Sequence, residues 1–289
     1  MTDYSLPRLN LSIHQLLVAA AWMALAVPCS REQAGTAAAP ASSLLANASH
    51  VPTMAFDLAS ALESKPDANA GFTPPVGYAQ QFVEQGILIK APASVDTGAL
   101  SAAAVIVTQM LGNVRPDIRA RLVATKAAIA ITPKDRYVTA LPEFAYQSGR
   151  KDATGREYDS FKIRGLGAVV GQPVTATAEE NLLHLSSDTM KGMSVTHHEF
   201  AHAVMNLGFN KADRAAWAQI HQNGAAGKLF KDCGAEGDFA MHNPDEYWAV
   251  LSTAYFSRNW PALNTPAIII SHDLAAYEFL RSIYGPPPQ

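Results

Sequence analysis

The chain is short of charge, of cysteine and of long apolar runs, and each shortage removes a class of protein. Asp, Glu, Lys and Arg make up 16% of its 289 residues and sum to a net charge of −3, with no basic stripe. Nucleic-acid binding draws on such a stripe to neutralise phosphates, so nothing here points to a nucleic-acid partner. Two cysteines, Cys29 and Cys233, do not make a disulfide framework. No apolar run reaches the ~20 residues that a membrane-spanning helix needs. A GxSxG elbow and a phosphate-binding P-loop are both missing. The glycines of RGLGAVVG (164–171) lack the GxGxxG spacing of a nucleotide fingerprint, and read instead as a turn and an edge strand.

What is present at the N-terminus is an export pattern. Residues 16–27 (LLVAAAWMALAV) are uncharged and apolar, preceded by Arg8 and His14, with Asp3 offsetting Arg8. Secretory signals carry apolar stretches of ~7–15 residues, so 1–30 is expected to be a signal peptide; a buried N-terminal helix is the alternative. The chain is then secreted, periplasmic or attached to the cell envelope. Cys29 stands where a bacterial lipoprotein carries its lipidated cysteine, although Pro28 occupies a place normally held by a small residue. A lipid anchor at Cys29 is therefore an alternative to free secretion. In either case Cys233 is expected to be a lone, buried thiol. Residues 31–76 are rich in Ala, Ser, Pro and Asn without a helical or strand period, the composition of a tether.

A single domain is expected over 77–289. Helices are read at 99–111, after Pro116, at 195–207, at 211–222 (Asn210 as cap, Gly224 as stop), at 244–256 and at 272–284. A buried strand is read at 127–132, with strand-like pieces at 161–163, 168–170 and 181–185. A small sheet followed by several helices makes an α+β fold.

Within the first of the later helices stands His198-Glu199-Phe200-Ala201-His202, an HExxH motif. Residues i and i+4 share one helical face, so both imidazoles can reach one Zn²⁺. Glu199 is turned ~100° from His198, beside the ion rather than on it, where a carboxylate can take a proton from water. Thr196-x-x-Glu199 also fits a capping box that would leave the histidines on the surface. The apolar flanks Val204, Met205 and Leu207 speak for a packed active-site helix instead. His197 lacks a partner four residues on and reads as an outer or solvent-facing histidine. A catalytic zinc needs a third protein ligand. Glu246 is the first candidate, with His242, Asp245 and Asp238 as rivals, while Asn243-x-x-Glu246 offers a competing capping box. Tyr247, Trp248, Tyr255 and Phe256, at helical spacing, read as core packing.

HEFAH followed by NPDEYWAVLSTAYF resembles the gluzincin metallopeptidases of the anthrax lethal factor and Mlc titration factor A type. Met110-Leu111, Arg115-Pro116-Asp117-Ile118, Leu141-Pro142-Glu143 and Arg164-Gly165-Leu166-Gly167 add looser likenesses, over roughly residues 77–260. The resemblance implies a zincin-like fold, Zn²⁺ on His198, His202 and Glu246, Glu199 as general base, and a peptide or protein substrate. It also implies a tyrosine seven residues before the third ligand, and here that residue is Phe239. His242 and Tyr247 are the nearest substitutes as oxyanion stabilisers. Val250 and Thr253 stand where some relatives carry an acidic residue. Two alternatives follow: an envelope-associated zinc-binding module with weak or lost activity, or a metalloenzyme acting on a bond other than a peptide.

Overall fold

Gln85 and Gly86, both at positive φ (52° and 82°), close a two-residue turn between β1 (Gln80–Glu84) and β2 (Ile87–Ala91). This backbone hand matches the twist of paired strands, and glycine adopts it without a Cβ penalty. The computed structural model describes residues 77–288 apart from 153 and 260. The signal peptide expected at 1–30, Cys29 and the tether at 31–76 lie outside the described residues.

Helix α1 (Thr97–Leu111) starts at Asp96, whose carboxylate accepts the Gly98 N–H, and α2 (Pro116–Ala124) is opened by Pro116. They lead to β3 (Ala128–Thr132), which is buried along its whole length. An unbroken apolar run suits a strand covered on both faces. The sheet order is β1-β2-β3-β4, antiparallel in the hairpin and parallel in the other two pairs, with β4 spanning Val174–Ala178.

The strand expected at 181–185 is not formed. Helix α3 (Glu179–Leu182) and a turn at Leu183-His184 take up that stretch, and Asn181 is spent on closing a loop. Its amide donates to Asp188 and to the Met193 carbonyl and accepts from Val195 N–H. No strand forms at 161–163 either; nearby, Leu166 pairs antiparallel with Ala176, and Val169 closes on Gln172.

The helical part follows: α4 (Val195–Ala203), a π-helical turn (Val204–Gly208), α5 (Lys211–Gly227), α6 (Gly234–Ala240), α7 (Pro244–Tyr255), α8 (Pro266–His272) and α9 (Leu274–Tyr284). Asn210 caps α5 in a full capping box with Asp213. Gly224 does not stop that helix; it sits inside it against Tyr247, and Lys228 at φ 51° ends it. The helix expected at 272–284 forms as α9, started by Asp273, which accepts from Ala276 N–H, while His272 ends α8. Cys233 is buried, as expected, but it is disulfide-bonded rather than a lone thiol.

The chain is thus α+β, a small mixed sheet followed by helices. Its main apolar cluster joins α4 to α1, α7 and α9 through Met110, Phe200, Val204, Trp248 and Tyr284. Every residue of α4 is buried. None of the described helices is long and apolar enough to cross a membrane.

Candidate metal centre

Helix α4 begins at Ser194, whose hydroxyl accepts the His197 N–H. Thr196 is therefore not the cap; its hydroxyl pairs with Thr177 of β4 at 2.6 Å and fastens the helix to the sheet. One turn apart, the His198 and His202 rings stand 5.1 Å between centroids. Helix α7 brings in Glu246. Asn243 caps α7 by accepting from Asp245 and Glu246 N–H, but the Glu246 carboxylate does not return to the cap. Its Oε2 lies 3.2 Å from His198 Nε2 and 3.8 Å from His202 Nε2. His198, His202 and Glu246 each offer a donor atom, all within 4.8 Å of one another.

These groups suit a metal better than one another. His198 Nε2 and Glu246 Oε2 approach closely, yet neither makes a hydrogen bond, and both are buried. Glu199 Oε1 and His198 Nδ1 are unsatisfied too. Buried polar atoms are rarely left so. Two ligand atoms at ~2.0–2.2 Å from a tetrahedral ion stand roughly 3.3–3.6 Å apart, and the observed 3.2 and 3.8 Å fall just either side of that range.

Burial sets the charge states. It lowers the His198 pKa to about 3 and that of His202 to about 4, in the second case against the pull of Glu246, so both imidazoles are neutral at neutral pH. Burial likewise raises Glu246 to about 7. Glu199 goes well above the usual carboxylate range, through burial first and the neighbouring Glu246 second. A neutral imidazole beside a half-protonated acid is not a salt bridge, whatever the 3.2 Å separation suggests.

One wall of the site is the segment around Gly165 and Gly167. A Cβ on Gly165 would stand 2.6 Å from Glu199, and one on Gly167 would stand 2.5 Å from His202 Cβ. The segment is pinned at both ends. Arg164, buried, makes a two-pronged bond to Glu180 at 2.5 and 2.7 Å and donates to the Arg136 carbonyl. At the other end Asn206, in the π turn, donates to the Ala168 carbonyl at 3.0 Å. Neither anchor is visible in a motif, since each depends on the fold bringing distant segments together.

The remaining expectations divide. Tyr247 is fully buried and its hydroxyl is already spent on Asp273, at 2.6 Å. His242 is exposed and close enough for its charge to act on Glu246. Phe239 lies nearly parallel to the His198 ring, with centroids 6.1 Å apart. Asp238 and Asp245 stay outside the donor cluster. His197 is not solvent-facing: it is buried against Phe256, beside Ser194 and Gln109. Trp248, Tyr247 and Tyr255 are core residues.

No protein-family model matches this chain, and no curated protein matches it in sequence. Among solved structures it is similar to the Pro-Pro endopeptidase PPEP-2 from Paenibacillus alvei, with a TM-score of 0.44 at 21% identity. That superposition covers 66% of this chain and 95% of that one.

Proposed function

We propose that this chain is a zinc-dependent peptidase of the gluzincin kind, in which His198, His202 and Glu246 hold the ion and Glu199 handles the proton. One observation carries the reading: three buried donors converge within 4.8 Å, with unsatisfied atoms among them and a second carboxyl, Glu199, beside them. Two imidazoles and one carboxylate are a donor set that suits zinc at a catalytic site. Bound there, zinc supplies Lewis acidity for a substrate carbonyl and lowers the pKa of water to about 7.

Glu199 follows His198 in sequence, lies against Gly165 and feels the charge of Glu246 without joining the three donors. Its raised proton affinity suits a group that takes a proton from the attacking water and hands it to the departing amine. Direct attack by water leaves no acyl-enzyme, so hydroxylamine traps nothing during turnover. The glycine wall favours a peptide over other substrates. Leu166 exchanges both its backbone bonds with Ala176, so in an antiparallel pair the N–H and C=O of Gly165 and Gly167 turn to the opposite edge. An extended peptide can add there as a strand beside Glu199 and His202. The export pattern expected at the N-terminus would put this activity outside the cytoplasm, where a disulfide at Cys233 persists.

Phe239 favours a second reading, a zinc-binding module with weak or lost activity. Loss of one oxyanion donor costs ~10²–10³ in rate, and a phenyl ring against His198 supplies none. The Glu199→Gln variant separates the two readings. With casein or a peptide library as substrate, the peptidase reading expects cleavage by the wild type and zinc retention without cleavage in the variant. Equal residual activity in both would overturn it.

A further inference from the structure

Trp248 stands two residues after Glu246 on α7, and its indole N–H donates to the Ala201 carbonyl of α4 at 2.8 Å. Ala201 immediately precedes His202. The bond thus crosses from one ligand-bearing helix to the other, within two residues of a ligand at one end and one residue at the other. Both partners are fully buried, where a hydrogen bond is not exchanged with water and holds its geometry. The indole has no room to swing, being packed by Phe209 at 4.8 Å, Trp217 at 5.1 Å and Tyr284 at 5.3 Å between centroids. A side chain bonding into a helical ladder changes the local register, and the π turn starts three residues on, at Val204.

We infer that Trp248 is a positioning residue for the metal centre: its N–H sets the distance from Glu246 to the two imidazoles and so the affinity for zinc. The inference rests on the zinc reading above. Removing an outer partner of a metal site weakens metal binding ~10–100-fold.

The test replaces Trp248 with β-(3-benzothienyl)alanine, which keeps the bicyclic ring and exchanges the N–H for sulfur. Trp248→Phe serves as a second variant. Tyr255→Phe is the control, because it removes a hydrogen bond made by α7 (to the Gly285 carbonyl) away from the ligands. Zinc affinity is measured by chelator competition on the full chain, and Co²⁺ substitution reports coordination geometry through its visible bands. Both Trp248 variants are expected to raise the zinc Kd ~10–100-fold and to shift the Co²⁺ bands, while Tyr255→Phe changes neither. Wild-type zinc affinity in the benzothienyl variant would overturn the inference, as would an equal loss in Tyr255→Phe. A wild-type chain that takes up no zinc is a different result, and sinks the zinc reading itself.

Discussion

Adding a single methyl group at Gly167 tests whether the glycine wall and the metal centre are one unit. The new Cβ would stand 2.5, 2.9 and 3.0 Å from His202 Cβ, Cγ and Cδ2. Non-bonded carbons rest at ~3.5–4.0 Å, so about 1 Å of movement is required. The wall resists, because Leu166 is bonded to Ala176 at 3.1 and 2.9 Å and Asn206 holds the Ala168 carbonyl. Turning the imidazole leaves the 2.5 Å contact with His202 Cβ in place, so the backbone of α4 must shift and carry the ring with it. Overpacking of this kind costs ~1–3 kcal/mol of stability. Ligand distances in a zinc site tolerate only ~0.2 Å, so even part of that displacement is felt by the ion. Gly167→Ala is expected to lose ~1–3 kcal/mol in urea denaturation of the zinc-free chain, and to weaken zinc roughly tenfold, or ~1.4 kcal/mol, in chelator competition. Gly171→Ala is the control. Its φ of 89° makes it strained, at ~1–2 kcal/mol, but nothing lies within 4 Å of its Cβ, so zinc affinity is unchanged. Wild-type stability and zinc affinity in Gly167→Ala would refute the reasoning.

Three other perturbations have defined outcomes. Phe239→Tyr places a hydroxyl beside His198 and is expected to raise kcat ~10²-fold with zinc affinity unchanged; steady-state kinetics showing no gain removes this position from the oxyanion site. Arg164→Met leaves Glu180 a buried, unpaired carboxylate and is expected to cost ~3–5 kcal/mol, with much of it returned by adding Glu180→Leu; a urea midpoint equal to the wild type's refutes it. Glu236 is buried, and burial lifts its pKa from 4.5 to about 7. A pKa raised by folding contributes stability that is complete below about 4.5 and is lost as pH climbs through 7, by up to ~3 kcal/mol. Glu236→Gln should flatten the stability curve between pH 5 and 7, and an unchanged slope in denaturation at stepped pH counts against the assignment.

The ligand helices were legible because their signals are local. HExxH carries its own i, i+4 geometry, and Asn243-Pro244 announces the start of α7. The spacing between His202 and Glu246 did not reveal which acid joins the site; the fold decided it by packing α7 against α4 and turning the Glu246 carboxylate inward, away from its cap. Where reading failed, a tertiary partner had taken over a side chain. The apolar residues at 181–185 look like a strand, but Asn181 closes a loop onto Asp188, Met193 and Val195. Gly224 looks like a helix stop, but a side chain there would press on Tyr247 and Asp273, so the glycine serves packing inside α5. Tyr247 looked able to face the site until Asp273 took its hydroxyl. The β1–β2 hairpin escaped notice because Gln85-Gly86 is a weak turn signature in sequence and becomes one only through its φ values.

The energetics of α4 bear on why so buried a helix carries so polar a motif. Each buried, unpartnered donor or acceptor costs ~1–3 kcal/mol, and His198 and Glu246 contribute three such atoms beside Glu199. Against a typical stability of ~5–15 kcal/mol that is a large fraction, and a fold without a further role for the cluster would gain by replacing it with leucine. A divalent ion held there would satisfy His198 Nε2 and Glu246 Oε2 together and offset that part of the cost, so metal binding and folding would share one free energy. Zinc should then raise the unfolding midpoint in proportion to the logarithm of its free concentration, and Glu246→Ala should abolish that slope while leaving a chain that still folds. A midpoint indifferent to zinc in the wild type would mean that the convergence of His198, His202 and Glu246 serves something other than a metal.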